Sequence, residues 1–207
     1  MQPSMELRWF GRGTIPPDVQ QWFLQGAFPP KAEPQREDLY LSLPHNDDLG
    51  IKQREGRIEV KRRLADRGAQ SFEQGTVGRL EQWVKWSFKL EDGPPTDLLE
   101  PAGSWISTLK SRSLRKFALL SKEEAQEVDP AKPVDEGCNL ELTVLRFVGN
   151  DWWSLGFEAF GQLANVERNL RLSVKQAFAA DDVLALRAGD SYSYPKWLII
   201  AGAPGNP

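Results

Sequence analysis

Polar and apolar residues alternate with a period of two along residues 51–64, and this pattern predicts a two-stranded β-hairpin. Glu55-Gly56 is the expected turn, because glycine tolerates the positive φ that a tight turn demands. Strand side chains point alternately to opposite faces, so the hairpin has two different faces. The charged face holds Lys52, Arg54, Arg57, Glu59, Lys61 and Arg63, and the other face holds Ile51, Ile58, Val60, Arg62 and Leu64.

A like-charge pair in this hairpin needs a physical reason. With a two-residue turn, Arg54 faces Arg57 and Lys52 faces Glu59. Like charges directly opposite each other on neighbouring strands destabilise the pairing by roughly a few tenths of a kcal/mol or more. An anion held between the two guanidinium groups would remove this cost. The alternative is that the charged face is simply solvated, as one face of many antiparallel sheets is.

The same patterns predict the rest of the chain. Further strands are expected at residues 5–10, 38–43, 78–90, 114–120, 139–148 and 152–160, and helices at residues 16–23, 104–109 and 166–178. Loops are expected at residues 93–95 and 123–136, and a turn at Gly149-Asn150. Many strands interrupted by few helices favour an α+β fold, a tunnel-like antiparallel β-barrel with a few flanking helices. We expect one domain over residues 1–207, with its core at about 5–198 and a loose tail at 199–207.

Composition narrows the class of protein. The 26 basic and 29 acidic residues give a formal net charge of -3, which argues against a general nucleic-acid binder. A local basic cluster can still form an anion site in an acidic protein. The single cysteine, Cys138, and the single histidine, His45, exclude an internal disulfide and a Cys/His zinc site. We recognise neither a signal peptide nor a membrane-spanning run, so we expect a cytoplasmic protein. We expect no nucleic-acid or membrane partner, and the sequence leaves the oligomeric state open.

Further charged residues lie on the other predicted strands and, for Arg112 and Arg115, in the region after the helix predicted at 104–109. They are Glu6, Arg8, Glu81, Lys85, Lys89, Arg112, Arg115, Glu141 and Glu158. If these faces and the charged hairpin face line the barrel interior, many cations and a few carboxylates share one lumen. Burying unpaired charge is costly, so such a lumen would need an anionic ligand, most naturally several phosphates, with the carboxylates holding a divalent metal.

This order of elements resembles the CYTH-like, or triphosphate tunnel, family over nearly the whole chain, from about Met5 to Trp197. The family begins with a Glu-x-Glu-x-Lys strand. Ser4-Met5-Glu6-Leu7-Arg8 is similar to it but has a serine for the first glutamate and an arginine for the lysine. Further similar positions are the strand tyrosine Tyr40, the alternating bases Lys52 and Arg54, the strand lysine Lys61, the basic pair Arg112 and Arg115, and Glu158, which alone remains of a terminal glutamate run.

The resemblance implies a site and a cofactor. It implies phosphate binding by Arg8, Lys52, Arg54, Lys61, Lys85, Arg112 and Arg115, and Mg²⁺ or Mn²⁺ held by Glu6, Glu158 and Glu141. Glu6 and Lys61 are then the candidate catalytic residues, and the partner is a phosphate-rich small molecule. The departures from the family pattern fall on the carboxylates, which weakens a metal site more than it weakens phosphate binding. Any hydrolysis is therefore expected to be weak and strictly metal-dependent.

Three functions stay open on the sequence. The first is metal-dependent hydrolysis of an inorganic or organic triphosphate, with a nucleotide cyclase as a further family possibility. The second is non-catalytic binding of a phosphate ligand in the same lumen. The third is a structural or protein-interaction barrel, whose charged faces would point outward. Large aromatic side chains usually pack in a core, so core packing is expected for Trp83 and Trp152. Stacking on a ligand ring is the alternative, because the two residues alternate onto the faces of Lys85 and Glu158.

Overall fold

Long strands with alternating side chains make up most of the chain. The structure, a computed structural model, describes residues 1–89, 105–179 and 184–202. The described strands are β1 (Gln2–Arg12), β2 (Lys31–Ala32), β3 (Arg36–Leu41), β4 (Leu49–Arg54), β5 (Arg57–Ser71), β6 (Val77–Lys89), β7 (Trp105–Leu119), β8 (Ala125–Val128), β9 (Gly137–Phe147) and β10 (Asn150–Phe160). The helices in these ranges are α1 (Pro17–Leu24), α2 (Val166–Ala177) and α3 (Tyr194–Ala201), and none of them is long and apolar enough to cross a membrane.

Eight of the described strands close into an antiparallel barrel. Their order around the barrel is β3-β4-β5-β6-β1-β10-β9-β7, and the pairing of β7 with β3 completes the circle. The short strands β2 and β8 also pair with β7. The predicted α+β fold with an antiparallel barrel and a few helices is therefore confirmed.

The hairpin of β4 and β5 has the predicted turn and register. Glu55 and Gly56 form the turn with φ angles of 48° and 69°. Arg54 faces Arg57, and Lys52 faces Glu59. The charged face of the hairpin points into the barrel, while its apolar face forms part of the outer surface. The interaction hypothesis required the opposite arrangement, with the charged faces outward.

The larger hydrophobic core lies outside the barrel wall. Outward side chains of β1, β6, β9 and β10 pack against α1 and α2, and α2 buries one stripe of its surface there. We call this cluster the outer core. Its larger members are Met5, Leu7, Trp9, Val19, Trp22, Phe23, Leu80, Phe117, Leu140, Leu142, Trp153, Leu155, Phe157, Leu170, Val174 and Phe178.

A second apolar cluster fills one end of the barrel interior. This end plug consists of Phe10, Leu145, Phe147, Trp152 and Trp197. Alternation puts the strand members on the inward faces, and Trp197 comes from α3 and stacks on Phe10 with ring centroids 5.2 Å apart. Helix α3 therefore closes that end. Trp152 packs edge-on against Trp197, so core packing rather than ligand stacking is its role.

The helix predicted at residues 104–109 is wrong for residues 105–109. They form the first part of β7, which pairs with β3 on one side and β9 on the other. Trp105, Ile106 and Thr108 are aromatic or β-branched, and such side chains favour strands over helices. The strand predicted at residues 114–120 is the later part of the same long strand.

Smaller differences concern loops and ends. The segment predicted as a loop at 123–136 contains β8, where Ala125 and Val128 are buried. The turn between β9 and β10 is formed by Val148 and Gly149, which both have positive φ, one residue earlier than predicted. Helix α3 extends to Ala201, into the segment expected to be a tail. The predictions for residues 90, 93–95, 104 and 203–207 fall outside the described residues.

Candidate functional site

A charged cavity occupies the middle of the barrel. It encloses about 270 Å³, and all eight barrel strands contribute to its wall. The side chains that line it are Glu6 and Arg8 of β1, Arg36 and Tyr40 of β3, Lys52 and Arg54 of β4, Glu59 and Lys61 of β5, Trp83 and Lys85 of β6, Lys110 and Arg112 of β7, Asn139, Glu141 and Thr143 of β9, and Glu158 of β10, with Ser193, Tyr194 and Pro195 from the start of α3.

Positive charge dominates this cavity. Among the described residues, eight lysines and arginines line it, but only four glutamates do. Asp38 of β3 lies on the same inward face and is completely buried beneath the lining side chains, and it adds one more carboxylate. With every side chain in its usual charge state, the cavity therefore has an excess of about three positive charges.

Four of these bases surround Asp38. Lys110 Nζ lies 3.2 Å from its carboxylate, Lys52 Nζ lies 3.6 Å away, and the guanidinium groups of Arg36 and Arg54 lie 3.6 and 3.8 Å away. Asp38 alone does not neutralise four cations, and Arg36 also binds Glu33 at 2.7 Å. Burial raises the pKa of Asp38, but the surrounding bases, with Lys110 first, outweigh it and lower the pKa to about 2.

Glu59 neutralises part of this excess. It binds Lys52 at 3.0 Å and Arg54 at 2.8 Å, as the predicted pairing across the hairpin implies for Lys52. Although burial raises the pKa of Glu59, these two bases lower it to about 2. Arg54 is therefore paired with a carboxylate of the protein itself, whereas the opposing Arg57 is exposed and donates a hydrogen bond to Ser87.

A second network is centred on Glu141. Arg8 lies 2.8 Å from this carboxylate, and Arg112 binds its other oxygen while also contacting Glu33 at 2.8 Å. Burial raises the pKa of Glu141, but Arg8 and Arg112 outweigh it and lower the pKa well below its usual range. Gly156 makes room for this arrangement, because a Cβ at that position would lie 2.5 Å from Arg8 Cζ.

The third group of charges is Glu6, Lys61 and Glu158. Lys61 Nζ binds Glu6 and lies 4.0 Å from Glu158 Oε1. Ser4 donates a hydrogen bond of 2.8 Å to Glu6. Burial raises the pKa of Glu6, whereas Lys61 lowers the pKa of Glu158.

Burial also changes the lysines of the cavity. It lowers the pKa of Lys110 to about 7 against the attraction of Asp38, and it lowers the pKa of Lys52 to about 8. Lys110 also lies 3.9 Å above the centre of the Tyr194 ring. These two lysines can therefore take up protons when an anion enters the cavity.

Three polar atoms of the cavity wall lack hydrogen-bond partners within the described residues. They are Arg36 Nε, Trp83 Nε1 and Thr143 Oγ1. A buried polar group without a partner costs about 1–3 kcal/mol, and such groups are rare in folded proteins. Arg36 Nε lies 3.6 Å from Asp38 Oδ1, just beyond hydrogen-bond distance.

The structure brings together nine of the ten residues that the sequence proposed for the site. Glu6, Arg8, Lys52, Arg54, Lys61, Lys85, Arg112, Glu141 and Glu158 all line the cavity. Arg115 does not. It lies on the outer face of β7, where it forms a bidentate salt bridge with Glu127 and lies over the ring of Trp22. Alternation along a strand explains the difference, because residues 112 and 115 point to opposite faces.

Arg36, Lys110 and Tyr194 are among the cavity residues that sequence reasoning did not propose. Lys110 was missed because the start of β7 was predicted as a helix. Read as a strand, the segment places Lys110 on the same face as Arg112. Arg36 alternates with Asp38 and Tyr40, but β3 begins two residues earlier than predicted. Tyr194 comes from α3, and no strand pattern signals it.

The carboxylates of the cavity do not fit a metal site built from protein ligands. Within residues 1–89, 105–179 and 184–202, no group of three or more His, Cys, Asp and Glu side chains is arranged to hold a metal ion. Of the three proposed ligands, Glu141 is bound to two arginines, and Lys61 binds Glu6 and lies near Glu158. A metal would have to displace these bases.

Neither a family model nor a curated protein matches the chain. Among solved structures, a “putative adenylate cyclase” from Bacillus halodurans is similar at 11% identity, over 90% of this chain and 96% of that chain, with a TM-score of 0.37. The S. pombe RNA triphosphatase Pct1, solved in complex with the Spt5 CTD, is similar at 13% identity over 86% of this chain and 78% of that chain, with a TM-score of 0.36. At this level of likeness, function has to be argued from the cavity itself.

Proposed function

We propose that the protein binds a small molecule with a triphosphate chain, inorganic or organic, in the charged cavity and does not hydrolyse it. The observation that carries this proposal is the convergence of eight basic side chains from the barrel strands on one interior cavity with only four lining carboxylates, counted over the described residues. An excess of buried positive charge is costly without a counter-charge, and a polyanion supplies it.

Phosphate suits these side chains better than other anions do. Each phosphate group carries up to about two negative charges and three acceptor oxygens. Arginine forks bind phosphate oxygens in pairs, and lysine contributes a compact point charge. A chain of phosphates matches an excess of about three charges better than one orthophosphate does.

The shape of the cavity favours a compact ligand that enters from one side. Its volume lies just below the range of roughly 300–1,000 Å³ that is typical of sites for drug-sized molecules. The end plug and α3 close one end. A second cavity shares Lys85, Asn139 and Glu158 with the charged cavity and reaches the exposed Met1 at the other end. An organic group attached to the phosphates would fit in this entrance.

Binding is favoured over hydrolysis because the carboxylates of the cavity are paired with bases. Metal-assisted attack of water on a phosphate requires oxygen ligands that converge on the metal. Glu6, Glu59 and Glu141 each bind a lysine or an arginine instead. These pairs support a role in holding the cavity in shape for an anion.

The test measures the melting temperature and calorimetric binding with tripolyphosphate, against pyrophosphate and orthophosphate. We expect tripolyphosphate to bind most tightly and to raise the melting temperature, since a ligand at 100 times its Kd stabilises the native state by about 2.7 kcal/mol. Arg54→Ala should weaken binding. Arg62→Ala is the matched control, because Arg62 is exposed on the outer face of the same hairpin.

Two outcomes would contradict the proposal. One is no binding of tripolyphosphate at millimolar concentration, with or without divalent metal. The other is steady release of phosphate from tripolyphosphate or a nucleoside triphosphate, which would replace binding by hydrolysis. Equal losses of binding in Arg54→Ala and Arg62→Ala would show that the ligand binds outside the cavity.

A further inference from the structure

Three glutamates form a row across neighbouring strands in the cavity wall. Glu6 of β1 pairs in register with Glu158 of β10 on one side and with Glu81 of β6 on the other. Directly opposite positions on one face bring side chains within about 5 Å, so three carboxylates in such a row repel one another. A cation is needed among them, and in many proteins a divalent metal fills that need.

In this protein the cations are supplied by side chains. Lys61 reaches from β5 to the carboxylate of Glu6 and lies 4.0 Å from Glu158. Glu81 at the other end of the row binds Arg63 at 2.8 Å. Ser4 adds a hydroxyl donor to Glu6 where a fourth carboxylate would otherwise stand. Each member of the row thus has a positively charged neighbour from the chain itself.

The ammonium group of Lys61 suits this position. It is a compact point charge at the end of a flexible chain, and it donates up to three hydrogen bonds. Burial lowers the pKa of Lys61, but Glu158 and Glu6 outweigh it and raise the pKa. The side chain therefore stays charged at neutral pH.

We propose that Lys61 takes the place of a divalent cation between Glu6 and Glu158, so that phosphate-chain ligands bind in this cavity without metal. The second half of this statement rests on the proposed function. The first half is a property of the ligand-free protein. The two halves can therefore be tested separately.

The first experiment measures Mn²⁺ binding to the ligand-free protein by the loss of the free-ion signal in electron paramagnetic resonance. We expect no cavity-bound Mn²⁺ in the wild type. Lys61→Ala should create a site for one ion, because it leaves Glu6 and Glu158 without their counter-charge. Arg62→Ala is the matched control, since Arg62 is the chain neighbour of Lys61 on β5 but is exposed on the outer face of the hairpin.

Further variants locate the new site and guard against misfolding. The double variant with Lys61→Ala and Glu6→Gln should lose the Mn²⁺ site again. In Lys61→Ala, Mn²⁺ should raise the melting temperature, and in the wild type it should not.

If Lys61→Ala does not fold, Lys61→Gln removes the charge while keeping a similar side-chain length. Mn²⁺ bound in the wild-type cavity, or no Mn²⁺ site in either folded Lys61 variant, would overturn the replacement.

The second experiment titrates tripolyphosphate into wild-type protein in buffer containing EDTA. We expect binding to be retained, with an affinity that changes by less than about threefold when the EDTA is raised further, which is under 1 kcal/mol. Binding that disappears in EDTA and returns with Mn²⁺ would overturn metal-free binding. Failure to bind under every condition would instead contradict the proposed function, and the Mn²⁺ experiment would still decide the role of Lys61.

Discussion

The charged cavity and the outer core are separated by a single barrel wall, and they are built from alternate residues of the same strands. In β1, Glu6 and Arg8 face the cavity, whereas Leu7 and Trp9 face the outer core. In β10, Glu158 faces inward and Phe157 outward. The pleat of the strand creates both environments. The middle of the barrel interior is therefore charged, and the larger hydrophobic core lies outside the barrel wall.

The two regions contribute differently to the free energy of unfolding. Burying a large apolar side chain in the outer core stabilises the fold by about 1.5–3 kcal/mol. An ion pair in the cavity gains little, because the cost of desolvating both charges offsets their attraction. We infer that the outer core and the end plug supply most of the stability, and that the cavity is kept charged for its ligand.

The largest effect is expected from a truncation in the outer core. Phe157 is fully buried and packs against Phe178 of the segment after α2. Phe157→Ala should lower the free energy of unfolding by about 3–5 kcal/mol, because it removes apolar contacts and leaves a cavity. Chemical denaturation measures this loss. The control is Val144→Ala on the outside of β9, where the side chain is half-exposed and the expected change is within about 0.5 kcal/mol.

The same variant tests the separation of the two regions. Folded Phe157→Ala protein should bind tripolyphosphate with nearly wild-type affinity, since the ring points away from the cavity. A loss of affinity as large as that in Arg54→Ala would show that the wall transmits changes in packing to the cavity. The proposed division of roles would then be wrong.

The sequence predicts the strands well where one face differs clearly from the other. The hairpin of β4 and β5 has apolar and charged faces, a glycine in its turn and a unique register. What the pattern cannot state is which face is the inside. An alternating strand fits a polar exterior or a polar lumen equally well, and only the closure of the barrel decides between them. That closure depends on the pairing of β7 with β3, far apart in sequence.

The residues that the sequence missed or misplaced have two different physical explanations. Lys110 and Arg115 both lie on β7, whose first part was predicted as a helix. A strand interpretation of residues 105–119 places Lys110 on the same face as Arg112 and Arg115 on the opposite face by alternation. The contribution of Tyr194 is different in kind, because it depends on how α3 packs into the end of the barrel. No local pattern encodes that tertiary contact.

A smaller effect, on ligand affinity rather than on stability, is expected for a substitution inside the cavity. Lys85 lines the cavity and makes no ion pair with any residue in the described ranges. Lys85→Met should weaken tripolyphosphate binding by about tenfold, or 1.4 kcal/mol, through loss of one charge contact. The free energy of unfolding should stay the same or rise slightly, because the variant removes repulsion among the bases. Denaturation and calorimetry on the same sample measure both quantities, and a stability loss like that of Phe157→Ala would erase the contrast between the two regions.

The smallest expected effect is the uptake of protons by the cavity when a ligand binds. Burial lowers the pKa of Lys110 to about 7, so at pH 8 most molecules of the free protein carry this lysine uncharged. A bound polyanion favours the ammonium form and raises this pKa. Binding at pH 8 should therefore take up protons, and the affinity should fall as the pH rises above 7, because each added unit of pH makes the required protonation less favourable.

Calorimetry in two buffers with different ionisation enthalpies, such as HEPES and Tris, measures the number of protons taken up. We expect the wild type to take up about 0.5–1 proton more than Lys110→Met at pH 8, and the difference should vanish near pH 6, where Lys110 is already charged. Burial lowers the pKa of Lys52 to about 8, and Lys110 is one of the charges that lower it further. Lys110→Met therefore also raises the pKa of Lys52 and reduces its proton uptake, and the expected difference includes this contribution. Equal proton uptake at pH 8 would mean that the ligand does not reach Lys110. The ligand would then bind nearer the entrance lined by Lys85, and the deep part of the cavity would be a structural charge cluster rather than a binding surface.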